Sequence, residues 1–196
     1  LTDFPDGVSS YTLSQDGINH LLIEKAQAGK TVVRLKGGDP YVFGRGGEEA
    51  EELATAGVAF EVVPGISSMV AGPNYAGIPL THRDHCSSFT VITGHEDPEK
   101  EALSLDYAQL AKLPGTKVIL MGVERIRQIA DSLIAHGMDA ATPIGMVRWG
   151  TTCRQQSITG TLGTIAEVVA EKKFTAPAVA IIRVEMTVSF QSVGVP

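Results

Sequence analysis

The apolar residues of this chain change period repeatedly, from helical spacing to extended runs and back, a pattern that fits helices layered on a sheet. Ile18, Leu21, Leu22 and Ala26 share one helical face, with Ser14 placed to cap its start and Gly29 just beyond its end. Thr31–Lys36 then reads as a short buried strand, followed by a glycine-rich loop to Gly47. The pattern predicts a helix over Glu48–Ala56, with acids in the first turn where the dipole favours them, and a strand over Val58–Val63 ended by Pro64-Gly65. A small-residue helix over Ile66–Ala71 is expected to break at Gly72-Pro73. From Ser88 onward, strands at Phe89–Thr93, Thr116–Met121, Ile144–Trp149, Ser157–Thr159 and Ala178–Val184 are interleaved with helices at Asp106–Leu113, Glu124–His136 and Thr161–Lys172.

The fold class is therefore α/β. The polar, aperiodic stretch Thr81–Ser87 is the expected linker, giving an N-terminal α/β domain over 1–86 and a C-terminal α/β domain over 87–196. No strand precedes the first helix, so the N-terminal domain is expected to be incomplete, with its opening strand missing. Charge narrows the function. The chain carries a formal −6, and residues 1–100 hold seven basic against fourteen acidic side chains, a field that opposes general binding to nucleic acid or anionic membrane. The longest apolar runs, near Val118–Met121 and Ala176–Ile182, are strand-sized and well short of the ~20 residues a membrane helix needs. Cys86 and Cys153 form no CxxC pair and no disulfide framework, which points to a reducing, cytoplasmic setting.

The segment from Gly37 to Glu49, GGDPYVFGRGGEE, follows directly on a predicted strand, where open α/β sheets bind ligands. Paired glycines let a ligand approach the main chain closely. No phosphate-loop GxxxxGK[ST] is present, and Glu49 stands where a dinucleotide fingerprint needs its third glycine, so phosphate is disfavoured. A ligand with an ammonium or sulfonium centre would tolerate Asp39. Two structural turns joined by an extended bridge remain the other reading of this segment taken alone.

Taken together, Val33–Pro40, Phe43–Glu49, Val63–Ser68, Ala76–Asp84 and Val91–His95 resemble the uroporphyrinogen-III C-methyltransferases of the tetrapyrrole methylase superfamily. The likeness runs without a visible gap from about Tyr11 to Arg154 and more weakly to Val184. It implies two α/β domains with S-adenosylmethionine in the cleft between them, in a homodimer, and methylation of uroporphyrinogen III at two ring carbons to give precorrin-2 for sirohaem or cobalamin. Carried over by motif, the cofactor contacts would be Gly37, Gly38, Asp39 and Val42 in the loop, Ser67 and Ser68 at the Pro-Gly turn, Met121 after one strand and Gly150 after another, with the segment Ala176-Pro177-Ala178 adjoining. Without the resemblance, Met121 reads as a core residue, and Ser67 and Ser68 as helix caps. The spent cofactor would be S-adenosylhomocysteine.

The substrate carries eight carboxylates, and Arg45 and Arg83, each in a motif loop, are candidates to bind them; structural ion pairs with Glu48, Glu49 or Asp84 are the alternative. Lys36 is expected to reach toward the cleft. His82, Asp84, His85 and Cys86 lie too close in sequence to converge on one tetrahedral ion, so no metal is expected there, and His95-Glu96 lacks the second histidine of HExxH. The family's opening Gly-Pro-Gly-Asp turn and the aspartate proposed as proton acceptor are not found, Gly7 stands at the position of the proposed lysine donor, and Arg183 falls where the family has glycine. No catalytic acid or base is therefore assigned. A methylase of a later precorrin, or a non-catalytic remnant that binds S-adenosylmethionine, remains the alternative.

Overall fold

A computed structural model describes residues 13–94 and 105–183. Gly7, Tyr11, His95-Glu96, Val184 and the tail from Thr187, all discussed above, lie outside the described residues. The chain divides into two compact units, Leu1–Ser67 and Ser68–Pro196.

In the first unit, α1 (Gln15–Gln27) starts where the sequence places it. The Ser14 hydroxyl accepts the Gly17 N–H at 3.1 Å, the N-cap role expected of it. Leu22 is buried, and Gly29 ends the helix at a φ of +77°. Helix α2 (Gly46–Thr55) begins two residues earlier than predicted because the Gly46 N–H closes onto the Pro40 carbonyl at 3.0 Å. The two predicted strands of this unit are not strands. Residues 31–36 and 58–63 belong to no ladder, and Val33, Leu35 and Val63 stand 73%, 77% and 72% exposed. Their β-branched residues favour extended backbone, but a strand also needs a hydrogen-bonding neighbour, which the described residues do not supply.

The second unit is a mixed five-stranded sheet with helices on both faces. Its strands are β1 (Phe89–Thr93), β2 (Thr116–Leu120), β3 (Pro143–Arg148), β4 (Gln156–Thr161) and β5 (Ala178–Ile182), in the spatial order β1-β2-β5-β3-β4. β1 and β2 are parallel, while β5 runs antiparallel to both β2 and β3, so β3 points the same way as β2. Side chains alternate between two cores. Ile119, Ile144, Met146, Ala180 and Ile182 pack with α4 (Tyr107–Lys112), α5 (Ile126–Ala135) and α6 (Ile165–Glu171). Val118, Leu120, Val147, Val179 and Ile181 face α3 (Ser68–Tyr75) and the segment after it.

Helix α3 corrects the expected break, since it runs through Gly72-Pro73 to Tyr75. Proline sacrifices one backbone bond there, and the helix recovers through Ala76 N–H to the Gly72 carbonyl and Ile78 N–H to the Pro73 carbonyl, at 3.2 and 2.8 Å. Packing holds it in place. A methyl group at Gly150 would come within 2.8 Å of Gly72 Cα, so the helix backbone approaches too closely for a side chain at Gly150. Helix α6 starts at Ile165 rather than Thr161, because Thr161 completes β4 against Pro143 and its N–H is taken by the Thr164 hydroxyl at 3.0 Å.

Candidate functional site

In the first unit the loop after Lys36 is folded back on itself by its own polar groups. The Asp39 carboxylate accepts the Tyr41 N–H at 2.9 Å and the Gly65 N–H at 3.0 Å. The Asp39 N–H is in turn donated to the Ser67 hydroxyl at 3.1 Å. Val42 N–H reaches the Asp39 carbonyl at 3.2 Å. Gly37, Gly38, Asp39, Val42 and Ser67, which the sequence singled out, are thus brought together with Gly65, which it did not.

The glycines of this loop divide by role. A Cβ on Gly46 would strike the Pro40 carbonyl, and one on Gly44 would lie 2.8 Å from it, so these two glycines serve the loop's internal packing. A Cβ on Gly37 would meet nothing within 4 Å. Gly37 is therefore bare main chain facing open space, the condition for close approach of a ligand. Phe43 and Arg45 hold φ values of +53° and +57°, unusual for side-chain-bearing residues and found where surroundings fix a functional loop.

Glu49 is not available to repel a ligand. It is buried, with Lys36 Nζ 3.0 Å from each of its oxygens, Arg34 Nε at 3.2 Å and Gln15 Nε2 at 3.2 Å. Burial pushes its pKa up, but the hydrogen bonds from Lys36 and Gln15 and the charges of Arg34 and Lys36 outweigh it and hold the carboxyl below its ordinary value. Lys36, expected to reach toward the cleft, is engaged by Glu49 and ties the residue before Gly37 to the first turn of α2. Arg45 pairs with Glu48, its Nη2 2.6 Å and its Nε 3.0 Å from the carboxylate, and both side chains are exposed.

In the second unit the carboxyl ends of β1, β2 and β3 share one edge of the sheet, where ligands of open α/β sheets bind. The backbone there is dense and strained. Gly94 N–H reaches the Leu120 carbonyl at 2.7 Å, and a Cβ on Gly94 would fall on Gly122 Cα. Met121, directly after β2, is 54% exposed with a φ of +54°. Gly150 follows β3 between Trp149 and Thr151, at φ values of +47° and +71°. Ala176 and Pro177, joined by a cis peptide, precede β5 at the same edge. Ser68 is the first residue of α3. Arg83 lies elsewhere: its turn closes through His82 and Cys86, and the Cys86 thiol sits 3.5 Å from the Thr116 hydroxyl at the amino end of β2, opposite the Met121 edge. Among the described residues no three His, Cys, Asp or Glu side chains are grouped to hold a metal ion, and no helix is long and apolar enough to cross a membrane.

Three signals are not marked in the sequence: Gly65 reads as a turn residue only, Gly94 lies in a quoted motif and Gly122 follows Met121 with no role assigned to either, and the arginines around Trp149 carry no motif.

The family model for tetrapyrrole (corrin/porphyrin) methylases matches residues 2–166. An S-adenosyl-L-methionine-dependent uroporphyrinogen III methyltransferase of Methanosarcina barkeri is 53% identical over 173 residues, covering 88% of this chain and 68% of that protein. A siroheme synthase 2 of Aeromonas salmonicida is 50% identical over 157 residues, covering 80% of this chain and 32% of that longer protein. Among solved structures, a uroporphyrin-III C-methyl transferase from Thermus thermophilus complexed with S-adenyl homocysteine aligns with a TM-score of 0.71 at 38% identity, covering 86% of this chain and 73% of that one.

Proposed function

The chain belongs to the tetrapyrrole methylase family, and from that premise we propose that it transfers methyl groups from S-adenosylmethionine to ring carbons of uroporphyrinogen III. Two transfers per molecule give precorrin-2, which feeds sirohaem or cobalamin synthesis. The observation that carries this reading is the open main chain at Gly37, braced by Asp39 and Ser67, in a chain 53% identical to a protein named for this reaction.

When bound, S-adenosylmethionine supplies a methyl group already activated on a sulfonium sulfur, so the chain has to position rather than activate it. Gly37 and Gly38 offer main chain without side chains. Asp39 spends its carboxylate on the Tyr41 and Gly65 N–H groups, which fixes the loop's curvature before any ligand arrives. Ser67 holds the Asp39 N–H in place, and the Lys36–Glu49 pair anchors the loop's two ends. The same reading assigns Val42, and Ser68, Met121 and Gly150 of the second unit, to the cofactor. Met121 and Gly150 stand at the carboxyl edge of the sheet, next to residues held at positive φ. A cytoplasmic homodimer is part of this reading.

The test is incubation with uroporphyrinogen III and methyl-labelled S-adenosylmethionine, with label counted per tetrapyrrole. Two methyl groups per product support the proposal. Cofactor that binds but never gives up its methyl group overturns it in favour of the non-catalytic alternative.

A further inference from the structure

The turn joining β3 to β4 concentrates positive charge that no carboxylate among the described residues neutralises. Trp149 is the single tryptophan of the chain, and the Arg148 guanidinium lies 3.6 Å from its ring centroid, with that of Arg154 at 4.8 Å. Among the described residues neither arginine has a carboxylate within 4.0 Å. Arg148 Nε is buried without any hydrogen-bond partner. The face of an indole attracts each cation only modestly, and two guanidinium groups on one ring repel each other. Such a pair is at its most stable when an anion joins it.

The backbone holds the pair in place. Trp149 and Thr151 sit at φ values of +47° and +71°. The Thr152 hydroxyl donates to the Trp149 carbonyl at 2.8 Å and accepts the Arg154 N–H at 3.2 Å, which turns residue 154 back over residue 149. Gln155 clamps the turn from both sides, accepting the Thr151 N–H at 3.0 Å and donating to the Tyr75 carbonyl at 3.2 Å. The cluster flanks Gly150 at the carboxyl end of β3, on the edge that carries Met121.

We propose that Arg148 and Arg154, gathered on the Trp149 ring, form a subsite for carboxylate groups of the polyanionic tetrapyrrole. The inference rests on the methyltransferase reading above and adds where the substrate's negative charge is met. A guanidinium matches a carboxylate with two parallel hydrogen bonds, and the indole between the arginines gives a flat apolar surface beside them. The cofactor also carries one carboxylate, so the same chemistry has two sources, which the experiment separates.

Equilibrium dialysis of the full chain against uroporphyrin III, an air-stable octacarboxylate, and separately against S-adenosylhomocysteine, compares wild type with Arg154→Gln, Arg154→Lys and Arg148→Gln. Arg154 is exposed, so its replacement leaves the core intact, and far-ultraviolet circular dichroism with urea unfolding checks the fold. Arg154→Gln is expected to weaken uroporphyrin III binding about tenfold, the modest end for a charge-assisted contact. Arg154→Lys should recover part of that loss, and added salt should reduce the wild-type affinity more than the variant's. S-adenosylhomocysteine affinity should stay within about twofold of wild type. Unchanged uroporphyrin III affinity in both glutamine variants overturns the subsite alone, and loss confined to S-adenosylhomocysteine assigns the arginines to the cofactor instead. A wild-type chain that binds S-adenosylhomocysteine but no uroporphyrin III overturns the tetrapyrrole reading and the subsite with it.

Discussion

Replacing Glu49 with glutamine should unfasten the loop that carries Gly37. The carboxylate is 7% exposed and meets Lys36, itself 10% exposed, at 3.0 Å, with Arg34 at 3.2 Å and 30% exposed. At that separation and an effective dielectric constant of about 20, one unit charge pair has a gross attraction of about 5 kcal/mol. Much of this is consumed by taking both ions out of water. Removing one partner of such a pair strands the other, at a cost of about 3–5 kcal/mol when fully buried. Glutamine still accepts one hydrogen bond and Arg34 can turn to solvent, so Glu49→Gln should cost about 2 kcal/mol at neutral pH. Urea unfolding of both proteins across a pH series is the assay. The Glu49 pKa is held below its ordinary value, so its stabilisation is complete above the ordinary glutamate range and is lost as the pH falls through the lowered folded-state value. The wild-type advantage should therefore be steady near neutrality and close in strong acid. A gap under about 0.5 kcal/mol at neutral pH, the ordinary scatter of surface substitutions, or one that widens as the pH falls, would refute the reasoning.

Three other changes test the same physical picture. Gly46→Ala places a methyl group on the Pro40 carbonyl, and should destabilise the first unit by about 2 kcal/mol in the same urea assay. Ser67→Ala leaves the Asp39 N–H without its acceptor, and should cost about 1 kcal/mol together with a several-fold weaker S-adenosylhomocysteine affinity by calorimetry. Lys117 is 1% exposed, its ammonium donates to the Leu113 and Gly115 carbonyls and to no carboxylate among the described residues, and burial pushes its pKa down. The cost of that buried charge is present below the lowered pKa and relieved as the pH rises to the ordinary lysine range. Lys117→Met should therefore be about 1 kcal/mol more stable at neutral pH, with the margin shrinking as the pH rises through the lowered folded-state value toward the ordinary lysine range.

The second unit was legible in the sequence because its strands are marked locally and completed within the unit. Val118, Ile119 and Leu120 are apolar on both faces, as a central strand covered by helices requires, and Gly137 closes α5 with a left-handed φ of +102°. Val33 and Val63 carry the same local marks, yet their segments form no ladder, since propensity specifies an extended backbone and not its neighbour. Pro73 misled for the opposite reason: a local breaking rule gave way to the close approach of Gly72 and Gly150. At the site, the spacing of Gly37, Gly38 and Asp39 was readable as a motif. The Lys36–Glu49 tie and the Arg148–Trp149–Arg154 cluster were not, because each depends on a loop folding back to join residues that no periodicity relates.

Calorimetric titration of the full chain and its Gly37→Ala variant with S-adenosylhomocysteine tests most directly whether the open main chain at Gly37 receives the cofactor. A Cβ at this position touches no protein atom, so the variant should unfold at the wild-type urea concentration. The account expects saturable binding by wild type and a loss of about tenfold or more in the variant, the size of one displaced close contact. Equal affinity in both proteins, or no binding by either, would contradict it.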